Sequence, residues 1–244
     1  DVAGFAAATF MRGMEFGFVS TSLLGQVDAS VGGKNGVNVD GYKNMVGTFS
    51  HPQFVIADVE MLRTLPLREL RAGMAEVVKS AIVGDAELFD YVDRIASDKI
   101  YSDTSVMNEI VSRSVAVKVD VVQRDEREGG LRRVLNLGHT IGHAIEKCTH
   151  SLNHGEAVAV GMSQMAYAAV RYGVLSEVDA KAIDNLLLKL GFELTPPLPM
   201  ATILREVKYD KKKHDNILRL VSPEAIGRCR VVELPFDEFE KMFL

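Results

Sequence analysis

The chain has 244 residues, 47% of them hydrophobic and 25% charged, an ordinary balance for a soluble globular protein that can bury a core without staples. A formal net charge of -5 gives no electrostatic support to a nucleic-acid or anionic-membrane role. Its two cysteines, Cys148 and Cys229, form no CxxC pattern, which suits a reducing cytoplasm and argues against a disulfide framework.

The opening, Asp1-Val2-Ala3-Gly4-Phe5, runs in helical rhythm without an initiating Met, and reads as a cut inside a domain. No secretory or transit segment is legible. A helix is expected over Val2–Arg12, a short strand over Glu15–Ser20, and helical rhythm over Thr21–Ala29 that ends at Gly32-Gly33. Gly36–Asn38 and Tyr42–Phe49 read as strands around a turn at Asp40-Gly41, and Pro52–Ala57 as a buried strand ending in Asp58. From Met61 onward the periodicity is helical. Helices are predicted over Leu67–Val83, Ala86–Ile95, Thr104–Arg124, Leu135–Cys148, Gly155–Tyr172, Ser176–Leu190 and Ala201–Lys208. Gly173 and Gly191 stand where helix-ending glycines belong, and Ser176 where an N-cap belongs. The longest apolar stretch, Ala157–Val170, is too short to cross a bilayer. A hairpin of Ile217–Val221 with Arg228–Val232 and a closing helix over Pro235–Phe243, with proline in the first helical position, complete the chain. The domain boundary is placed near Asp58–Thr64, so residues 1–60 form an α/β part and residues 61–244 a mainly helical one.

Four of the six histidines, His139, His143, His150 and His154, fall within one short stretch. The spacing of four puts His139 and His143 on one helical face, and the polar turn before His154 can fold it back toward them. Imidazoles in such a cluster, joined by a carboxylate, are the donors of a catalytic Zn²⁺ site; capping or core histidines are the plainer alternative. The HEXXH pattern is absent. Glu76 and Lys79 lie three apart on one helix, and spacing alone does not separate a surface ion pair from a ligand. Gly32-Gly33-Lys34 with Lys43-Asn44 could let backbone amides and lysines approach an anion, although a hairpin turn explains the glycines equally well. The charge-dense run from Glu126 to Arg133, leading to Asn136, could hold an anionic substrate or be a solvated loop. Asp210-Lys211-Lys212-Lys213 reads as solvated surface.

Taken together these motifs resemble a known family. Asp28-x-Ser30-x-Gly32-Gly33-Lys34 with Lys43-Asn44, Thr64-Leu65-Pro66 with Ala75-Glu76-x-x-Lys79, Asn136-x-Gly138-His139-Thr140-x-Gly142-His143, and His154-Gly155-Glu156 stand in the order and near the spacing of 3-dehydroquinate synthases, from Asp1 to about Gly227. The resemblance implies a Rossmann-like NAD-binding α/β domain, present here as its C-terminal part, followed by a mainly α-helical metal- and substrate-binding domain, with the active site between them. It implies NAD and Zn²⁺, or Co²⁺, as cofactors, and Glu76, His139 and His154 as metal ligands. It assigns Lys79, His143, Lys34 and Glu128 to the chemistry. Arg12, Lys34, Asn44, Lys79, Lys118, Arg132, Asn136, His143 and Lys211 or Lys212 would contact substrate, Arg12 from a neighbouring subunit of a homodimer. Asp1, Thr21, Ser22, Asp28, Lys43, Thr64 and Leu65 match cofactor-side positions. Ser20-Thr21-Ser22 departs mildly from the family's Pro-Thr-Thr, and the Lys213-His214-Asp215 turn is shortened.

The implied activity is conversion of a seven-carbon keto-acid phosphate, 3-deoxy-D-arabino-heptulosonate 7-phosphate, to 3-dehydroquinate and phosphate in the cytoplasmic shikimate pathway. The steps are transient oxidation by NAD, phosphate elimination, re-reduction and aldol closure. The truncated chain alone is expected to be inactive, because most of the dinucleotide domain would precede Asp1. Three alternatives stand beside this reading. A related sugar-phosphate cyclase would lack the carboxylate clamp of Lys118, Arg132 and Asn136. A metal-dependent polyol dehydrogenase would need no phosphate pocket. A helical metal-binding or oligomerisation piece would need no cleft chemistry at all.

Overall fold

The computed structural model describes residues 1–39, 42–96, 98–101, 103–211 and 217–243. The N-terminal part is α/β. Helix α1 (Val2–Thr9) is followed by a tight 3-10 turn and strand β1 (Phe18–Val19). Strands β2 (Lys34–Val39) and β3 (Tyr42–Phe49) form an antiparallel hairpin in which Lys34 faces Phe49. Strand β4 (Val55–Ile56) pairs in parallel with β1, Phe18 against Val55. Buried Gln26 ties the carboxyl ends of this pair together, its Nε2 donating to Ser20 O at 3.0 Å and Asp58 O at 2.8 Å. A 3-10 turn, Val59–Thr64, then leads out of the α/β part.

The remainder is mainly helical: α2 (Leu67–Gly84), α3 (Ala86–Ile95), α4 (Thr104–Arg124), α5 (His139–Cys148), α6 (His154–Arg171), α7 (Glu177–Lys189) and α8 (Met200–Lys211). An antiparallel hairpin of β5 (Ile217–Ala225) and β6 (Arg228–Pro235) and helix α9 (Phe236–Lys241) close the chain. Helices α3 and α4 match their predicted bounds, because Asp85 and Asp103 cap them with side-chain bonds to backbone amides. Ser176 caps α7 as expected, and Gly173 and Gly191 take left-handed φ of 73° and 85°. Among the described residues no helix is long and apolar enough to cross a membrane.

Helices α2 and α6 are the centre of the core. Each is apolar on nearly every face, and α2 is buried from Ala72 through Val83. They touch backbone to backbone: a Cβ added at Gly155 would lie 2.3 Å from Ala72 Cα and 2.4 Å from Ala72 O. Helices α5 and α6 meet the same way, since a Cβ at Gly161 would lie 2.0 Å from Gly138 O.

Four expectations are corrected. Pro52–Ala57 is not a buried strand: only Val55–Ile56 is strand, 37% and 49% exposed, because the two-residue β1–β4 ladder has no covering layer among the described residues. Thr21–Ala29 is not a regular helix but winds into a π-type turn at Gly25–Ala29, where Ser30 N and Oγ both donate to Gly25 O. Leu135–Cys148 is broken into a 3-10 turn, Leu131–Asn136, and α5, because Gly138 adopts φ 77° against α6. Pro235 ends β6 and caps α9 instead of occupying its first turn. The Asp40-Gly41 turn lies outside the described residues.

The Gly155 contact generates a test. Gly155→Ala is expected to destabilise the fold by about 1–3 kcal/mol through overpacking. Gly129→Ala, where the added methyl meets only Asp125 Oδ1 at 3.6 Å, should stay within about 0.5 kcal/mol of wild type. Urea denaturation midpoints decide it, and equal midpoints for the two variants would contradict the contact.

Candidate metal centre and anion cleft

Three helices bring the candidate ligands together. Glu76 sits at the middle of α2, 1% exposed, while His139 and His154 are the first residues of α5 and α6. The start of α6 is fixed by a capping box: Asn153 Oδ1 accepts from Glu156 N at 2.9 Å and Glu156 Oε2 accepts from Asn153 N at 2.8 Å. Arg68 on α2 grips the same turn, donating to both Glu156 oxygens at 2.8 and 2.7 Å and to Ser151 O. The helix that supplies Glu76 therefore also holds the turn that presents His154.

Glu76 Oε1 lies 3.3 Å from His154 Nε2 and 3.8 Å from His139 Nε2. His139 Nδ1 meets Leu137 O at 3.0 Å, which assigns the proton to Nδ1 and leaves the Nε2 lone pair facing Glu76. One carboxylate oxygen and one nitrogen from each imidazole thus lie within 4.8 Å of one another. Both Glu76 oxygens are buried without a well-directed hydrogen bond, although Lys79 and His154 lie against them. A buried carboxylate in that state fits a cation. One carboxylate and two imidazoles, with room for a further ligand on the cleft side, is a donor set suited to Zn²⁺. Burial pushes the Glu76 carboxyl up, but Lys79, His154 and His139 outweigh it and hold it well below the usual range. Burial and Lys79 push the His139 imidazole down. Burial also opposes charge on His154, but contacts with Glu146 and Glu76 prevail and push it up to about 9.

His143 shares the face of His139 as its spacing predicts, with ring centroids 5.2 Å apart, but it is exposed and 6.1 Å from the His154 ring. It stands with Glu146 and His154 in a second group of metal-capable atoms.

Beside these histidines opens a cleft of about 1390 Å³. Along one wall runs an alternation of charge from Glu76 to Lys79, Asp28 and Lys118. Lys79 is paired with Glu76 and lies 4.0 Å from Asp28, and Lys118 is paired with the Asp28 carboxylate. Burial pushes Asp28 up, but Lys118 and Lys79 hold it below its ordinary value. Burial opposes the Lys79 charge, yet Asp28 and Glu76 raise its pKa; for Lys118 burial wins and lowers it. On another wall Glu128 pairs with Lys34 and accepts from Asn136 Nδ2 at 2.8 Å. Arg132, 3% exposed, lines the cleft while its guanidinium donates to Gly32 O at 2.7 Å and to Glu126 O.

Asn44 and Asp1 line the cleft, whereas Arg12 is exposed and outside it. Thr21 and Ser22 follow the carboxyl end of β1, Thr64 and Leu65 end the 3-10 turn that comes after β4, and all four lie outside the cleft itself. Lys211 ends α8; its side chain, that of Lys43 and the whole of Lys212 lie outside the described part. Five charged residues of the cleft or ligand side carry no reading in the sequence: Glu146, Lys147, Glu206, Arg219 and Glu233. For Glu146 and Lys147 a signal existed, since they follow His143 by three and four positions and share its face. Arg219 and Glu206 carried none, being brought in by the hairpin and α8 from far along the chain.

The buried pair supplies a second test. Without metal, Lys79→Met leaves Glu76 buried beside fewer cations and should cost about 3–5 kcal/mol. The double variant Glu76→Gln/Lys79→Met should recover part of that loss. Urea unfolding in a chelator measures both, and additive single effects would refute the coupling.

Comparison with known proteins adds an independent line. The family model described as 3-dehydroquinate synthase N-terminal matches residues 1–72 and that described as 3-dehydroquinate synthase C-terminal matches residues 73–213. The chain is 40% identical over 235 residues to the 3-dehydroquinate synthase of Dictyoglomus thermophilum, covering 96% of this chain and 66% of that protein. It is 44% identical over 247 residues to that of Ruminiclostridium cellulolyticum, covering 100% of this chain and 68% of the relative. It therefore spans about two thirds of the length of these relatives. A 2-epi-5-epi-valiolone synthase from Streptomyces hygroscopicus subsp. jinggangensis, solved with NAD⁺ and Zn²⁺ bound, superposes with a TM-score of 0.89 at 28% identity, over 99% of this chain and 68% of that one. A 2-deoxy-scyllo-inosose synthase complexed with carbaglucose-6-phosphate, NAD⁺ and Co²⁺ gives 0.88 at 26% identity, over 99% and 70%. Matched by both family models and by these relatives along nearly its whole length, the chain belongs to the 3-dehydroquinate synthase family.

Proposed function

We propose that the chain carries the metal- and substrate-binding machinery of a 3-dehydroquinate synthase acting on 3-deoxy-D-arabino-heptulosonate 7-phosphate. The observation that carries this reading is the junction of Glu76, His139 and His154 with a cleft whose walls present Lys34, Lys79, Lys118 and Arg132. Residues 1–60 form the cofactor-side part and residues 61–244 the metal and substrate part. Glu76, His139 and His154 would hold Zn²⁺, or Co²⁺. Asp1, Thr21, Ser22, Asp28, Lys43, Thr64 and Leu65 would face NAD. Support comes from Thr21 and Ser22, which follow the carboxyl end of β1, the end at which ligands of open parallel sheets bind. When bound, the cation supplies Lewis acidity toward a substrate hydroxyl, and NAD⁺ supplies a hydride acceptor that later returns the hydride.

The remaining work falls to the protein's own side chains. Lys34, Lys79, Asn44 and His143 surround the position of a leaving phosphate, where fixed positive charge stabilises the charge that develops as it departs. The exposed imidazole of His143 can take up a proton from the carbon acidified by oxidation. Lys118, Arg132 and Asn136 hold the substrate carboxylate and hydroxyls, Glu128 orients Lys34 and Asn136, and Lys211 or Lys212 would contact substrate. Lys118, Arg132 and Asn136 favour a substrate that carries a carboxylate over a sugar phosphate without one. Arg12, exposed and outside this cleft, serves the site of a second copy in a homodimer.

Phosphate release from the seven-carbon substrate by the full-length protein with NAD⁺ and Zn²⁺ tests the reading. Turnover is expected with one Zn²⁺ per subunit, lost in His154→Ala; a wild-type protein free of metal, or a variant with undiminished metal, contradicts it. Arg132→Ala is expected to raise the substrate dissociation constant at least tenfold, by about 1.5–3 kcal/mol for a lost charge-assisted contact. An unchanged constant would remove Arg132 from the clamp.

A further inference from the structure

Resting on the reading of Glu76, His139 and His154 as the metal set, we infer that Glu146 is a positioning residue that orients His154 for the metal. The His154 ring lies between two carboxylates. Its Nε2 faces Glu76 Oε1 at 3.3 Å, and its Nδ1 faces both Glu146 oxygens, each at 3.4 Å. Glu146 lies on α5 three residues after His143 and seven after His139, on the face turned to α6, with its side chain only 10% exposed. The capping box and Arg68 fix the backbone of His154, leaving rotation about its side-chain bonds as the remaining freedom.

A neutral imidazole carries one N–H and one lone pair, and the partner of the N–H decides which nitrogen is the ligand. Glu146 accepts from Nδ1–H, so in the neutral, metal-binding form of the ring the lone pair on Nε2 points into the space shared with Glu76 and His139. His139 is arranged in parallel fashion, with Leu137 O taking the place of the carboxylate. Of the two partners the carboxylate is the stronger acceptor and makes its histidine the more basic ligand. The same geometry excludes simultaneous use of His154 Nδ1 in a His143–Glu146–His154 site, because the Nδ1 proton occupies the only lone pair available there.

The experiment measures Zn²⁺ affinity by competition with a chromophoric chelator, and the visible absorption of the Co²⁺-loaded protein, in wild type, Glu146→Ala and Glu146→Gln; thermal melts of the metal-free proteins report folding separately. Glu146→Ala is expected to bind one Zn²⁺ about 10- to 100-fold more weakly, with an altered Co²⁺ spectrum. Glu146→Gln keeps an acceptor oxygen and should fall between Ala and wild type. If the alanine variant fails to fold, the glutamine variant alone decides, by weaker binding than wild type. Affinities and spectra unchanged in the folded variants would overturn the inference while leaving the metal site intact. Loss of a second equivalent of Zn²⁺ that wild type binds would make Glu146 a ligand and overturn it as well. A wild type that binds no metal would overturn the site assignment itself, and this inference with it.

Discussion

The approach of α2 to α6, backbone against backbone at Ala72 and Gly155, is the constraint on which the other distances depend. A side chain of any size at Gly155 would push the helices apart, and His154 is its immediate neighbour on α6. Glu76 lies one turn along α2 from Ala72, so one close contact sets the separation of a buried carboxylate and an imidazole. The Gly138–Gly161 contact then locks α5 to α6 and delivers His139 to the same point. Such precision on rigid helices is what a metal site requires and what loops supply poorly. Arg68 strengthens the arrangement from outside; being largely exposed, it contributes more to orientation than to stability.

Backbone strain falls in two places, the cleft and the turn after α1 that carries Arg12. Among the described residues, the non-glycine positions with left-handed φ are Met11, Arg12, Asn44 and Glu128. Three of these four are residues that sequence resemblance assigned to substrate or chemistry. Backbone held in a sparsely populated region persists when its surroundings over-determine it. Glu128 shows how: Lys34 and Asn136, from separate parts of the chain, fix its carboxylate, while the Asp125 carboxylate accepts from Gly129 N and Gly130 N immediately beyond.

Legibility in the sequence followed the range of the interactions. Helices α3 and α4 could be read to the residue because their caps are local. The cluster of Glu76, His139 and His154 follows from the motif order, whereas spacing alone pairs His139 with His143 and leaves Glu76 aside. The break at Gly138 was missed because the apolar rhythm runs straight through it; the cause, the backbone of α6, is remote in sequence. The exposed β4 was read as buried because an apolar run implies a covering layer, and coverage is a tertiary fact. Glu146 had a local signal at helical spacing that went unused, whereas Arg219 had none.

The charge ladder of the cleft has a consequence for selectivity. Lys34, Lys79 and Lys118 each have a carboxylate of their own chain, and Arg132 has two backbone carbonyls. An entering anion therefore engages in partner exchange instead of meeting bare charge, and its net gain is the difference between its own bonds and the internal ones it replaces. A monoanion can exchange with one cation and gains little. A molecule with anionic groups at both ends makes two such exchanges while giving up its translational freedom once. Internal pairing of this kind favours a molecule whose charges match the spacing of the cations over small anions of the solvent, with no steric barrier needed.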